Sequence, residues 1–152
     1  MSPEPFRLTS TTFQNGGSIP RRFTCDGENV SPDLAWEGAP EGTKALVLVV
    51  IDPDARDFVH WLIYDLTGSP AGGLPRGISA SPDAPPQGMN SFGKRGYGGP
   101  CPPSGTHHYR FTLSALDKVL ELTGTPRVDA LRAAMAGHVL AEATLTATYH
   151  RS

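Results

Sequence analysis

Two adjacent histidines, His107 and His108, follow a loop that runs Tyr97-Gly98-Gly99-Pro100-Cys101-Pro102-Pro103-Ser104-Gly105-Thr106. Its prolines fix φ and remove three backbone donors, while its glycines permit tight turns and close approach. A loop so shaped delivers imidazole to a fixed point. A second source of polar groups lies upstream in Asp52-Pro53-Asp54-Ala55, followed by His60-Trp61. Asp52 continues directly from an apolar run, where an unpaired carboxylate would be costly, so it needs a partner, and His60 is the expected one. Asp54 is read with equal weight as a functional carboxylate or as an Asp that caps nearby amides.

Three chemistries suit Asp52, His60 and His107. Two imidazoles and a carboxylate can ligate a divalent metal, but the spacing signature of such a site is absent, and neither a metal nor any other cofactor is expected. Cys101 or Ser104 could serve as a histidine-activated nucleophile, yet no nucleophile elbow or cysteine-protease signature surrounds either. The third use, binding a small anion through charge-assisted hydrogen bonds with help from Tyr109 or loop amides, fits the residue types best. His138 and His150 are read as ordinary hydrogen-bonded histidines.

The elements that must position these groups follow from pattern. Leu46 to Ile51 is a continuous apolar run rich in Val, which predicts a strand buried on both faces and central in its sheet. His60 to Leu66 predicts a second inner strand, joined to the first by the Asp-Pro-Asp turn. Tyr109, Phe111, Leu113 and Ala115 alternate with polar residues, as do Leu145, Ala147 and Tyr149, and each series predicts a strand with one apolar face. The same alternation assigns His107 to the face of Tyr109 and His108 to that of Arg110, which makes His107 the pocket histidine. One helix is predicted near the C-terminus, with Thr125 as cap, Pro126 at its first position and Leu131, Met135 and Val139 on one stripe. From Thr67 to Thr106 the chain spends forty residues, eighteen of them Gly or Pro, far beyond an ordinary connection of about 4–6 residues.

A chain of 152 residues is expected to form a single domain, 1–152. Its formal net charge of −2 provides no long-range field for nucleic acid or anionic lipid. The N-terminal residues lack an apolar core of signal-peptide length, and no run is long enough to span a bilayer, so the expected address is the cytoplasm, without stable membrane insertion. Cys25 and Cys101 are too few for a disulfide framework and are expected to be free thiols.

Taken together, these blocks resemble the phosphatidylethanolamine-binding protein family, in its bacterial and archaeal Raf-kinase-inhibitor-like branch. Further matching segments are Cys25-Asp26-Gly27-Glu28-Asn29-Val30-Ser31-Pro32 with Trp36, and Gly137-His138-Val139-Leu140-Ala141. The resemblance implies a mostly β, sandwich-like fold with a large antiparallel sheet, a smaller sheet and few helices. It implies a shallow pocket for phosphate, phosphorylethanolamine or carboxylate anions, with Asp52, His60, His107 and Tyr109 in it and Asp54 and Pro102 or Pro103 at the rim. A recognition module for such an anion, or for a phosphorylated protein group, that modulates a kinase or protease partner is the expected function, and a homodimer the expected assembly. The alternative is a hydrolase or lyase using Asp52, His60 and His107 as acid and base. Three departures from the family pattern are noted: Arg56 where proline is frequent, His108 where arginine is usual, and Ser91 where aspartate is frequent. Finally, the charge of Asp52 is expected to hold His60 protonated.

Overall fold

In a computed structural model, which describes residues 5–151, the chain forms seven strands and one α-helix. Residues 1–4 and 152, the ends of the expected 1–152 domain, lie outside the described residues. The strands are β1 (Arg7–Thr9), β2 (Leu34–Glu37), β3 (Ala45–Asp52), β4 (Phe58–Thr67), β5 (Gly72–Leu74), β6 (Gly105–Leu116) and β7 (Val139–Arg151); α1 spans Val128–Met135. They make two antiparallel sheets, one ordered β1-β2-β5 and the other β4-β3-β6-β7. The fold is thus mostly β, as expected.

The apolar run that predicted a central strand is β3, buried at every residue and paired to β4 on one side and β6 on the other. Its alternation divides the core. Leu46, Leu48 and Val50 point between the sheets, into a cluster with Trp61, Tyr109, Phe111 and Leu145. Val47, Val49 and Ile51 point to the opposite face, where Leu131 and Met135 of α1 cover them. A strand that loses water on both faces gains about 25 cal/mol for each Å² of apolar surface removed from water, and this anchors the sheet.

The helix starts later than predicted. Thr125 does not cap it; Arg127 occupies the N-cap without a side-chain cap hydrogen bond. Leu131 and Met135 are its buried stripe, but Val139 already belongs to β7. Gly137, at φ 82°, turns the chain between them in the left-handed region that glycine tolerates.

The long Gly/Pro segment is internally ordered and runs along the outer side of β4. Tyr64 N donates to Pro86 O at 3.0 Å, Gly88 N to Leu62 O at 2.9 Å, Ser91 N to Val59 O at 2.8 Å and Gly98 N to His60 O at 2.9 Å. The expectation of free thiols is overturned: Cys25 and Cys101, 76 residues apart, form a disulfide. Two cysteines were too few to suggest a framework from counting, and their meeting depends on a loop path that local pattern does not encode.

Candidate functional site

β3 ends in Asp52, and the chain then makes one 3-10 turn through Pro53–Ala55. Asp52 Oδ1 accepts the Asp54 amide at 2.8 Å, which caps that turn and fixes the carboxylate. Its other oxygen accepts from His107 Nδ1 at 2.6 Å. With side chains 4% and 16% exposed, this is a largely desolvated pair. Asp52 was expected to pair with His60; it pairs with His107 instead.

The reason lies in β4. Val50 pairs with Trp61, but the next residue, Ile51, pairs with Val59, so His60 is skipped by a β-bulge. Val59 therefore faces α1 while Trp61 faces the other sheet, and alternation breaks at His60. Bulges re-aim side chains in this way. The His60 ring is turned toward the long loop, where Nδ1 donates to Gly98 O at 2.6 Å. That leaves Nε2 as its remaining polar atom.

Burial lowers the pKa of His60 below the usual 6.5, and it outweighs the opposing pull of the Gly98 carbonyl and of the Asp52 charge. The expectation of a protonated His60 is thereby reversed: desolvation of an almost fully buried imidazole outweighs a carboxylate that is already engaged elsewhere. A neutral His60 with Nδ1–H donating presents Nε2 as an acceptor.

Aromatic rings surround it. Tyr109 meets His60 edge to face at 5.1 Å, Phe58 lies at 5.0 Å and Phe92 at 5.6 Å between centroids. Burial and the Asp52 and Asp54 charges raise the Tyr109 phenol pKa, so its hydroxyl stays a donor. Phe92 is displayed by a turn built on buried Asn90, whose Oδ1 accepts the amides of Phe92 and Lys94 and whose Nδ2 donates to Gly96 O. A Cβ at Gly98 would run into the Phe92 ring, which is why glycine is required at that approach.

These groups line a cavity of about 180 Å³, together with Ala55, Cys101, Pro102 and Pro103. Of the residues named from sequence, Asp52, His60, Pro102, His107 and Tyr109 converge there; Asp54 does not. Asp54 Oδ2 accepts both the backbone N–H and Nδ1 of His108, each at 2.8 Å, and these bonds hold its carboxyl below the usual carboxylate range. Arg56 and the following Asp57 adopt left-handed φ of 54° and 58°, and no cis peptide occurs among the described residues. Ser91 uses its hydroxyl to accept the Val59 amide at 2.8 Å. His138 bonds Asp117 and His150 bonds Thr106, both away from the pocket.

Sequence reasoning missed Phe58 and Phe92. Phe58 had a usable signal, two residues before His60 on the same strand; Phe92 sits in a turn with no periodicity. Of the candidate nucleophiles, Cys101 is consumed by the disulfide and Ser104 is absent from the pocket wall. No cluster of three metal-ligating side chains occurs among the described residues.

A family model for phosphatidylethanolamine-binding proteins matches residues 9–150. A UPF0098 protein of Methanothermobacter thermautotrophicus is 46% identical over 95% of this chain and 98% of its own length. A Mycobacterium tuberculosis protein named as a lipoprotein, LppC, is 42% identical over 88% of this chain and 67% of its own. The crystal structure of a phosphatidylethanolamine-binding protein homologue from Chlamydia trachomatis superposes with a TM-score of 0.89 at 36% identity, covering 97% of this chain and 98% of that one. The chain belongs to the phosphatidylethanolamine-binding protein family.

Proposed function

We propose that the protein recognises a small anionic group, a phosphate monoester or a carboxylate, in the pocket of Asp52, His60, His107 and Tyr109. The observation that carries this reading is the division of hydrogen-bonding roles in a cavity of about 180 Å³. Tyr109 offers a neutral hydroxyl. His107, oriented through Nδ1 by Asp52, donates from Nε2 to the anion in its imidazolium form. His60 offers an acceptor, which suits an anion that carries a proton or an ammonium of its own, such as a singly protonated phosphate or phosphorylethanolamine. The volume falls below the roughly 300–1,000 Å³ of sites that enclose drug-sized ligands, so it fits a headgroup rather than a large substrate.

Phe92, 46% exposed at the rim, gives such a headgroup an apolar shoulder to lean on. A phosphorylated side chain of a kinase or protease partner would be held in the same way, with the rest of that partner outside. No helix of the described residues is long and apolar enough to cross a membrane. The cytoplasmic address now competes with an oxidising compartment, in which a Cys25–Cys101 disulfide persists; the redox state of these cysteines in intact cells decides between them.

The test is a calorimetric or NMR titration with phosphate, phosphorylethanolamine and acetate at two pH values, for the wild type and His107→Ala. Saturable binding that weakens at least about tenfold in the variant is expected, the scale of one charge-assisted hydrogen bond. Equal binding by both proteins, or none by either, overturns the proposal. Turnover of phosphoesters or carboxylic esters that vanishes in His107→Ala would establish catalysis instead.

A further inference from the structure

The other face of the large sheet carries a second concavity. Antiparallel register sets Ile51 beside Arg110 and Val49 beside Thr112 across β3 and β6, then Ser114 beside Glu142 across β6 and β7. Because alternate residues share a face, Arg110, Thr112 and Ser114 form a polar row next to the apolar row of Val49 and Ile51. Tyr109 and Phe111 point the opposite way, into the core between the sheets. This groove is therefore separated from the His107 pocket by the sheet itself.

α1 covers the apolar row, but no β7 residue joins the cluster beneath it. A cavity of about 410 Å³ opens where the helix stops short, lined by Arg132 and Met135 on one side and by Arg110, Thr112 and Glu142 on the other. That is more than twice the roughly 180 Å³ of the His107 pocket and within the range of small-molecule sites. Val49, Ile51 and Met135 are each only 8% exposed, so the floor is apolar and almost dry.

The charges are unbalanced. Neither Arg110 nor Arg132 makes a salt bridge among the described residues. The carboxylate of the groove, Glu142, accepts from Ser114 Oγ at 3.0 Å instead. Two guanidinium groups thus stand against one carboxylate at the edge of an apolar floor. Guanidinium forks match carboxylate and phosphate geometry, and the floor matches a short hydrocarbon.

We propose that this groove binds a small amphipathic organic anion, with its carboxylate or phosphate head on Arg110 and Arg132 and its apolar body on Val49, Ile51 and Met135. The probes are hexanoate and hexyl phosphate, with acetate lacking the body and hexanol lacking the charge. In an NMR titration of the full chain, the two amphipathic anions shift the Thr112 and Ala136 amides saturably, and the tighter of the two identifies the preferred head. Acetate and hexanol bind at least about tenfold more weakly, as do Arg110→Gln and Arg132→Gln, since each removes a charge-assisted contact. Both arginines are exposed, so the variants keep the fold. His107→Ala retains the response at Thr112, which separates this site from the pocket of the proposed function. Hexanol binding as tightly as hexanoate, or affinity unchanged in both arginine variants, overturns the assignment, as does a response confined to the His107 side.

Discussion

His107 and His108 are consecutive on β6, while Asp52 ends β3 and Asp54 lies two residues on in the following turn; each histidine donates Nδ1 to one aspartate, at 2.6 and 2.8 Å. Strand alternation sends the first pair inward and the second outward. Side-chain exposures are 16% and 4% for His107 and Asp52, but 53% and 43% for His108 and Asp54. The same two residue types at nearly the same distance therefore work in different media. Water and salt screen the outer pair, while the inner pair keeps its interaction and its orientation. A histidine–aspartate bond is thus not itself a site; exclusion of water and a cavity beside it make the inner pair the candidate.

The largest effect is expected from removing the disulfide, since Cys101 lines the inner pocket and closes a loop to Cys25 76 residues away. Reduction should cost about 4 kcal/mol of stability by loop-closure entropy. It should also disturb His107 ring resonances while leaving those of His108 in place; denaturant unfolding and NMR with and without reductant check both parts.

Next in size is Asp52→Ala, expected to cost about 2 kcal/mol through the lost charged hydrogen bond and to abolish anion binding. Asp54→Ala should leave the unfolding midpoint and the binding nearly unchanged. Equal effects at the two positions would mean that burial is not what separates the pairs.

A third contrast is set by pH. Because burial lowers the His60 pKa below 6.5, the unfolded chain takes up a proton that the folded one refuses. Stability should therefore fall as pH drops below about 6.5, until His60 itself is protonated in the fold. The lowered Asp54 pKa acts in a more acidic window: its contribution, small because the carboxylate is exposed and screened by solvent, is present above the usual 3.8 and is lost as pH falls through the folded value. His60→Gln should flatten the first window alone, and Asp54→Asn the second, whereas His108→Ala should only narrow the second because the His108 amide still donates to Asp54. The smallest effect is expected from 1 M salt, where a Debye length of about 3 Å should erase the coupling of His108 to Asp54 in a double-mutant cycle and leave that of His107 to Asp52 measurable.

Much of this arrangement was legible in the chain because it follows from periodicity. Alternation from Tyr109 to Ala115 placed His107 inward and His108 outward, and the run from Leu46 to Ile51 placed Asp52 at the end of a central strand. The errors fall where periodicity stops. The bulge at His60 breaks the alternation that made it look like the partner of Asp52, and no local residue type announces that break. Burial of the His60 ring, which reverses its expected charge, depends on Phe58, Phe92 and Tyr109 converging from three segments. The disulfide likewise depends on where the loop carries Cys101. Thr125 and Pro126 carry the usual signal for a helix start, but the packing of Leu131 and Met135 on the sheet places that start at Val128.

The amides and carbonyls that the Gly/Pro segment exchanges with β4 bear on solubility as well as on the pocket. Without that segment, a strand reading Val59-His60-Trp61-Leu62-Ile63 would offer an open row of backbone donors and acceptors, a template for pairing with a second chain. The loop is therefore a seal on the sheet. Shortening it to widen the pocket would uncover an apolar edge, and the resulting protein should fail by aggregation before any change in ligand preference could be measured.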